Sequence, residues 1–164
     1  MQIRGFVPLF VALALPIATA TAQDQKLAEA VKSAKVSLET GLRASEREGK
    51  PISGKYELED GKLQLSVYTD KAGKFYEVVI DHTTGKIAKT EEITSGDDLT
   101  AAKEQSAAMA HAKRSLRQAV TVAKKAHKGF RALRVVPEVK ASHSVATITL
   151  GKDRETVTAT EKLD

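Results

Sequence analysis

Apolar and polar residues alternate between positions 63 and 80, and this pattern gives the clearest structural prediction in the chain. Alternation with a period of two is typical of a strand with one buried face. Two such segments flank a polar stretch, which predicts an antiparallel hairpin. Pairing Tyr68 with Phe75 places the inner apolar residues on one side of the hairpin. These inner residues are Leu63, Leu65, Val67, Tyr76, Val78 and Ile80.

The same order of elements is predicted twice along the chain, on either side of a linker at 94–98. In the first half, periodicity and turn residues predict a helix over 24–48 and strands over 55–59, 63–68 and 75–80, and residues 86–92 are either a short edge strand or a tail. In the second half, they predict a helix over 99–128, a strand over 133–139 that is broken by Pro137, and strands over 144–150 and 155–159. Both helices carry an Ala-Lys-x-Ser-Leu element, at Ala34–Leu38 and Ala112–Leu116. The predicted fold class is therefore α+β, with two repeats of a helix and an antiparallel sheet.

The first 22 residues have the organisation of a signal peptide. Arg4 provides a positive charge, an apolar run of about 13 residues follows, and Ala20-Thr21-Ala22 has small residues where a signal peptidase cleaves. We expect cleavage between Ala22 and Gln23, and a periplasmic or secreted protein. An uncleaved anchor is the alternative, although a spanning helix needs about 20 apolar residues. The expected divisions are a signal peptide at 1–22, a first unit at 23–93, the linker at 94–98 and a degenerate second unit at 99–164.

Charge divides the chain into an acidic part and a basic part. Residues 23–98 contain 12 Lys and Arg against 15 Asp and Glu, whereas residues 99–164 contain 13 against 6. This contrast predicts either two surfaces that attract each other weakly or a basic surface for an anionic partner. Nucleic acid is not expected as a partner, because the basic part has few aromatic residues for stacking. The chain contains no Cys, so its fold has no disulfide to rely on.

Three short motifs in the first unit resemble the PepSY domain family. They are Gly54-Lys55-Tyr56, Gly73-Lys74-Phe75-Tyr76-Glu77-Val78 and the turn Asp81-His82-Thr83-Thr84-Gly85, which continues into Lys86-Ile87. The resemblance covers residues 27–90 well and 112–160 loosely, and the second copy lacks the turn. It implies a cystatin-like fold of a helix on a small antiparallel sheet. It also implies an exported protein that restrains or inhibits a peptidase, as the propeptides of thermolysin-type peptidases do.

No catalytic, metal or cofactor site is predicted from the residues. The four histidines do not converge, because His111 and His127 would point about 160° apart on one helix and His82 and His143 lie in turns or loops. The turn marked by Asp81, Thr84 and Gly85 is interpreted as a structural Asx turn rather than a ligand site.

Two surfaces are candidates for partner binding. The outer face of the first hairpin carries Tyr68, Phe75 and Val79, which we expect to anchor a protein partner or a second copy of the chain, unless this face packs internally. The basic region at 113–134 is the second candidate, through Lys113, Arg114, Arg117, Lys124, Lys125, Lys128, Arg131 and Arg134.

The sequence therefore favours a non-catalytic, exported PepSY-like protein that binds and inhibits a peptidase in the cell envelope. The alternative is an envelope interaction or structural protein that uses the basic helix surface for anionic partners. No membrane-spanning segment is expected after removal of the signal peptide, and an enzyme is the least favoured class.

Overall fold

The computed structural model describes residues 21–164, and these residues form four helices and one antiparallel sheet of seven strands. The helices are α1 (Ala22–Val31), α2 (Leu38–Ser45), α3 (Gly96–Met109) and α4 (Leu116–Ala126). The strands are β1 (Lys50–Glu59), β2 (Lys62–Lys71), β3 (Lys74–Ile80), β4 (Ile87–Ile93), β5 (Arg131–Lys140), β6 (His143–Lys152) and β7 (Glu155–Lys162). Their order in the sheet is β4-β3-β2-β1-β5-β6-β7. The α+β class is confirmed.

The predicted hairpin is formed by β2 and β3, and its inner face is confirmed. Leu65, Val67, Val78 and Ile80 are fully buried on one side of the sheet. The register differs from the expected one by two residues, so that Val67 lies opposite Val78 and Tyr68 lies opposite Glu77. The register differs because the turn has only two residues, Ala72 and Gly73, which both have positive φ. An even shift leaves each residue on its predicted face.

The prediction of one long helix in each half is wrong, because each predicted helix is two shorter ones. The segment 24–48 contains α1 and α2, and the segment 99–128 contains α3 and α4. Ser37 and Ser115 start the second helix of each pair, since their hydroxyls accept hydrogen bonds from the amides of Thr40 and Gln118. The Ala-Lys-x-Ser-Leu elements therefore mark helix starts.

Helices α2 and α4 cover one side of the sheet, which we call face A and which carries Leu65 and Val67. Gly54, opposite Val67 in the register, allows α2 to approach closely. A Cβ on Gly54 would lie 3.2 Å from Leu38 Cδ1 and 3.3 Å from Leu42 Cδ2. Helix α4 lies beside α2 and packs on β5, β6 and β7.

Helices α1 and α3 cover the opposite side, face B, which carries Ser53 and Tyr68. Helix α3 is attached to it by a hydrogen bond of 2.6 Å from Ser53 Oγ to Gln105 Oε1. Helix α1 lies mainly over the second half of the sheet, where it contacts β5, β6 and β7, and a Cβ on Gly151 would collide with Ala28. Helix α3 lies over β5, β1 and β2. The first helix of each half therefore packs on strands of the other half.

The two halves share one hydrophobic core, although their strands meet over a short distance. Strands β1 and β5 pair only through Gly54 with Val135 and Lys55 with Arg134. A single buried cluster nevertheless includes residues from all four helices and from both halves of the sheet. Packing by the helices, rather than the β1–β5 ladder, therefore supplies most of the contact between the halves.

Beyond the short ladder, side chains of β1 and β5 hold the connector between α1 and α2. Arg131 donates from Nη1 to the carbonyls of Val31 and Ala34, each at 2.9 Å, and from Nη2 to the carbonyl of Val36 at 3.3 Å. The hydroxyl of Tyr56 donates to the same Val36 carbonyl. These bonds fix the point at which the chain passes from face B to face A.

The predicted signal peptide lies outside the described residues, except for its last two. Thr21 is the N-cap of α1, and its hydroxyl and the Asp24 carboxylate form a capping box. The predicted cleavage site between Ala22 and Gln23 falls in the first turn of α1. Cleavage there would remove the capping residue.

Replacing Arg131 with Met should destabilise the fold, because three carbonyl groups of the connector would lose a charged donor. We expect a loss of about 2 to 3 kcal/mol in the free energy of unfolding, measured by urea denaturation. Arg154→Met, at an exposed turn position, is the control and should change stability little. Equal stabilities of the two variants would contradict the role of Arg131.

Candidate functional site

A cavity of about 210 Å³ lies on face B, where the two halves meet beneath α3. Its walls come from β1, β2 and α3 and from β5, so neither half forms it alone. The lining residues are Ser53, Gly54, Lys55, Tyr68, Asp98, Ala101, Ala102, Gln105, Arg134 and Val136. A concave site with a few polar groups converging on it is the usual form of a small-ligand site.

The polar groups of the cavity are held by hydrogen bonds and by the sheet register. Ser53 is only 4% exposed and fixes Gln105 through the bond described above. The ammonium group of Lys55 lies 5.5 Å from the centre of the Tyr68 ring, within the range of a cation–π contact. It also forms a 2.7 Å ion pair with Glu57 Oε2. The cavity therefore has a preformed polar wall.

The environment shifts the pKa of two of these groups. Burial raises the pKa of Tyr68 to about 12, although the positive charge of Lys55 opposes this shift. Burial also disfavours the charged form of Lys55, but the hydrogen bond to Glu57 and the nearby Tyr68 outweigh it and raise the lysine pKa. Both groups are consequently protonated at neutral pH, which makes Tyr68 a hydrogen-bond donor and Lys55 a cation.

The predicted outer-face residues are placed differently from one another. Tyr68 is half-buried and lines the cavity, and Val79 is half-buried on the same face of the sheet. Phe75 lies opposite Asp70 and is only 6% exposed, so it belongs to the core and offers no surface anchor. The expected direct pairing of Tyr68 with Phe75 is wrong, because the two-residue turn shifts the register and places Glu77 opposite Tyr68. Partner binding through Tyr68 and Val79 stays a prediction.

The turn formed by Asp81, Thr84 and Gly85 has the geometry of an Asx turn. Asp81 Oδ1 accepts hydrogen bonds from the amides of Thr83 at 2.8 Å and Thr84 at 3.0 Å, and these bonds lower the pKa of Asp81. Gly85 has a φ of +76°, which glycine adopts without strain.

The turn is also connected to the fold. The carbonyl of His82 accepts hydrogen bonds from the amides of Lys35 and Val36 in the α1–α2 connector. A Cβ on Gly85 would lie 3.5 Å from Val36 Cγ2. The carboxylate of Asp81 is thus hydrogen-bonded to backbone amides of its own turn. The carbonyl of His82 in the same turn holds the connector in position.

The predicted basic surface is partly neutralised within the protein. Lys124 Nζ lies 2.6 Å from Glu39 Oε1 in α2, and Arg117 Nε lies 3.8 Å from Oε1 of Glu46, the C-cap residue of α2. Arg131 is only partly exposed and bonds the connector between α1 and α2. The remaining predicted cations are exposed and make no ion pair with the described residues: Lys113, Arg114, Lys125, Lys128 and Arg134. The two charged parts of the chain therefore face each other along α2 and α4.

Sequence reasoning missed the cavity, because its residues lie far apart in the chain. Lys55 and Arg134 meet only through the β1–β5 pairing, for which the sequence carries no local signal. Within residues 21–164, the structure holds no cluster of three or more potential metal ligands. Across the same residues, no helix has both the length and the apolar character needed to cross a bilayer.

Titration of the tyrosines tests the environment of the cavity wall. Because the folded-state pKa of Tyr68 is about 12, against about 10 in the unfolded chain, the neutral phenol contributes stability below pH 10 that is lost as the pH rises through 12. Phenolate absorbance should show a step near pH 12 that shrinks in Tyr68→Phe. Tyr56 supplies the rest of the step, since its pKa is also about 12. An unchanged step in the variant would contradict this placement, and concentrated urea should shift wild-type titration to about pH 10.

Comparison with known proteins leaves the family open. No family model matches the chain, and no curated protein sequence matches it. The crystal structure of a candidate lipoprotein from Clostridium difficile 630 is similar over 80% of this chain and 89% of that chain, with 17% sequence identity and a TM-score of 0.43. A likeness at this level carries no conclusion about function.

Proposed function

We propose that the chain is a non-catalytic, exported binding module of the PepSY type that restrains a peptidase in the cell envelope. The sequence motifs of the first unit are the starting point, and the arrangement of helices on an antiparallel sheet is compatible with them. A module of this kind acts by occupying its partner's binding surface, which needs shape and hydrogen bonds rather than reactive groups.

We also propose that the two halves are an internal repeat. The amides of Lys35 and Val36 donate to the carbonyl of His82 in the first half. In the second half, the amides of Lys113 and Arg114 donate in the same way to the carbonyl of Leu163. Each pair of amides lies just before the serine that caps the second helix of its half. Leu163 is buried, and its carbonyl accepts the two amides as the carbonyl of His82 does in the first half.

The observation that carries the proposed function is the outer edge of β7. This strand pairs with β6, and in the described part of the chain nothing pairs with its other side. Its central residues, Thr156–Thr160, are uncharged and are mostly β-branched or small. Proteins normally protect such edges with charged residues. An unprotected edge is instead suited to the addition of an extended strand from a partner.

The two edges differ in where their charges lie, because the charged residues of β7, Glu155, Glu161 and Lys162, are at its ends. This difference makes β4 a built-in control. Strand β4 carries Lys89, Glu91 and Glu92, and its residues from 88 to 92 are exposed. Charges at these positions disfavour the pairing of another strand. We therefore expect β7, rather than β4, to receive the partner.

Photocrosslinking tests this assignment directly. Benzoylphenylalanine at Thr158 on β7 should crosslink to a peptidase in the native envelope, whereas the same group at Thr90 on β4 should not. In an activity assay, the purified protein should inhibit the captured peptidase. Thr158→Lys should abolish this inhibition by placing a charge on the edge, and Thr90→Lys should leave it unchanged.

Two results would overturn the proposal. One is equal capture through both positions, because it would show that the β7 edge is not selective. The other is a captured peptidase whose activity the protein does not change. The alternative function, binding of anionic partners by the basic helix surface, is less favoured because Arg117 and Lys124 already pair with carboxylates of α2.

A further inference from the structure

We propose that the cavity beneath α3 is a binding site for a carboxylate group, held between Lys55 and Arg134. The free carboxylate can belong to a small organic acid or to the C-terminus of a peptide. This site is separate from the β7 edge, because it lies on face B at the centre of the sheet, so it does not depend on the proposed peptidase partner.

The first argument is the direct opposition of two like charges. Lys55 and Arg134 are cross-strand partners in the short β1–β5 ladder, so their side chains leave the sheet on the same face. Both line the cavity. Opposed like charges destabilise a strand pair, and an anion between them would convert this repulsion into attraction.

The second argument is the incomplete compensation of these charges. Lys55 pairs with Glu57 at 2.7 Å, but Arg134 has no carboxylate within 4.0 Å among the described residues. Asp98 also lines the cavity, yet it forms no ion pair with either cation. Arg134 is exposed, so its guanidinium is hydrated and is open to a ligand that enters the cavity.

The third argument concerns the kind of anion that fits. A guanidinium binds a planar carboxylate through two parallel hydrogen bonds. The charged residues that line the cavity are Lys55, Arg134 and Asp98, with a formal sum of one positive charge. This sum matches a single negative charge better than a doubly charged phosphate. The apolar walls from Ala101, Ala102 and Val136 suit the carbon skeleton next to the carboxylate.

The test compares two peptides that differ in one group. Three ligands are titrated into the protein at constant ionic strength, with the chemical shifts of the protein's backbone amides as the readout. The ligands are N-acetyl-dialanine with a free C-terminal carboxylate, the same peptide with a C-terminal amide, and acetate. The free-acid peptide should shift the resonances of Lys55, Gln105 and Arg134, and the peptide with a C-terminal amide should not shift them. Tighter binding of the peptide than of acetate would identify a peptide C-terminus as the source of the carboxylate. Equal binding of the two would identify a small organic acid as the source.

Two variants and one control complete the experiment. Arg134→Gln should weaken binding about tenfold or more. Without anion it should be as stable as the wild type, because Arg134 is exposed and makes no ion pair with the described residues. Ala101→Leu should block binding by filling the cavity without changing its charge. Arg154→Gln, at an exposed turn, should bind like the wild type. Equal binding of acid and amide, no binding of either acid, or unchanged binding by Arg134→Gln would overturn the proposal.

Discussion

The fold depends on the connector between α1 and α2, which takes the chain from one face of the sheet to the other. The guanidinium of Arg131 donates to three of its carbonyl groups, and the hydroxyl of Tyr56 donates to one of the same three. Its amides are paired with the carbonyl of His82. With these bonds in place, α1 can pack on the second half of the sheet while α2 packs on the first.

The same arrangement at the other connector makes the two halves interdependent. Lys50 Nζ donates a hydrogen bond of 2.8 Å to the carbonyl of Met109, where α3 ends. The carbonyl of Leu163 accepts hydrogen bonds from the amides of Lys113 and Arg114. Helix α3 thus reaches β1 and β2 of the first half. The cavity is a consequence of this crossing, because α3 forms its roof and the β1–β5 junction forms its floor.

Local patterns predicted the parts of the fold that depend on neighbouring residues. The inner face of the β2–β3 hairpin follows from alternation, and it survived an error of two residues in register because the shift was even. The break within each predicted helix was missed because apolar residues continue at helical spacing through the connector. Ser37 and Ser115 carried a usable signal, since serine is a preferred N-cap and each precedes a leucine. The basic region at 113–134 was similarly read as surface, although Arg131 bonds the connector.

The candidate site could not be predicted in the same way. Lys55 and Arg134 are brought together by a ladder of two residue pairs, and no periodicity encodes such a contact. The burial of Phe75 also depends on tertiary packing rather than on its strand. Composition did indicate that the acidic and basic parts of the chain could attract each other, and the pairing of α2 with α4 shows where they do.

Separation of the halves tests the central claim, that the crossed helices make one cooperative unit. Fragments 23–94 and 95–164 would be produced separately and compared with the whole protein by thermal unfolding and amide spectra. Each fragment alone should lack a cooperative transition, because it lacks the helix of the other half that packs on face B of its strands. An equimolar mixture should recover the native spectrum. A cooperative, native-like transition in either isolated fragment would contradict the account.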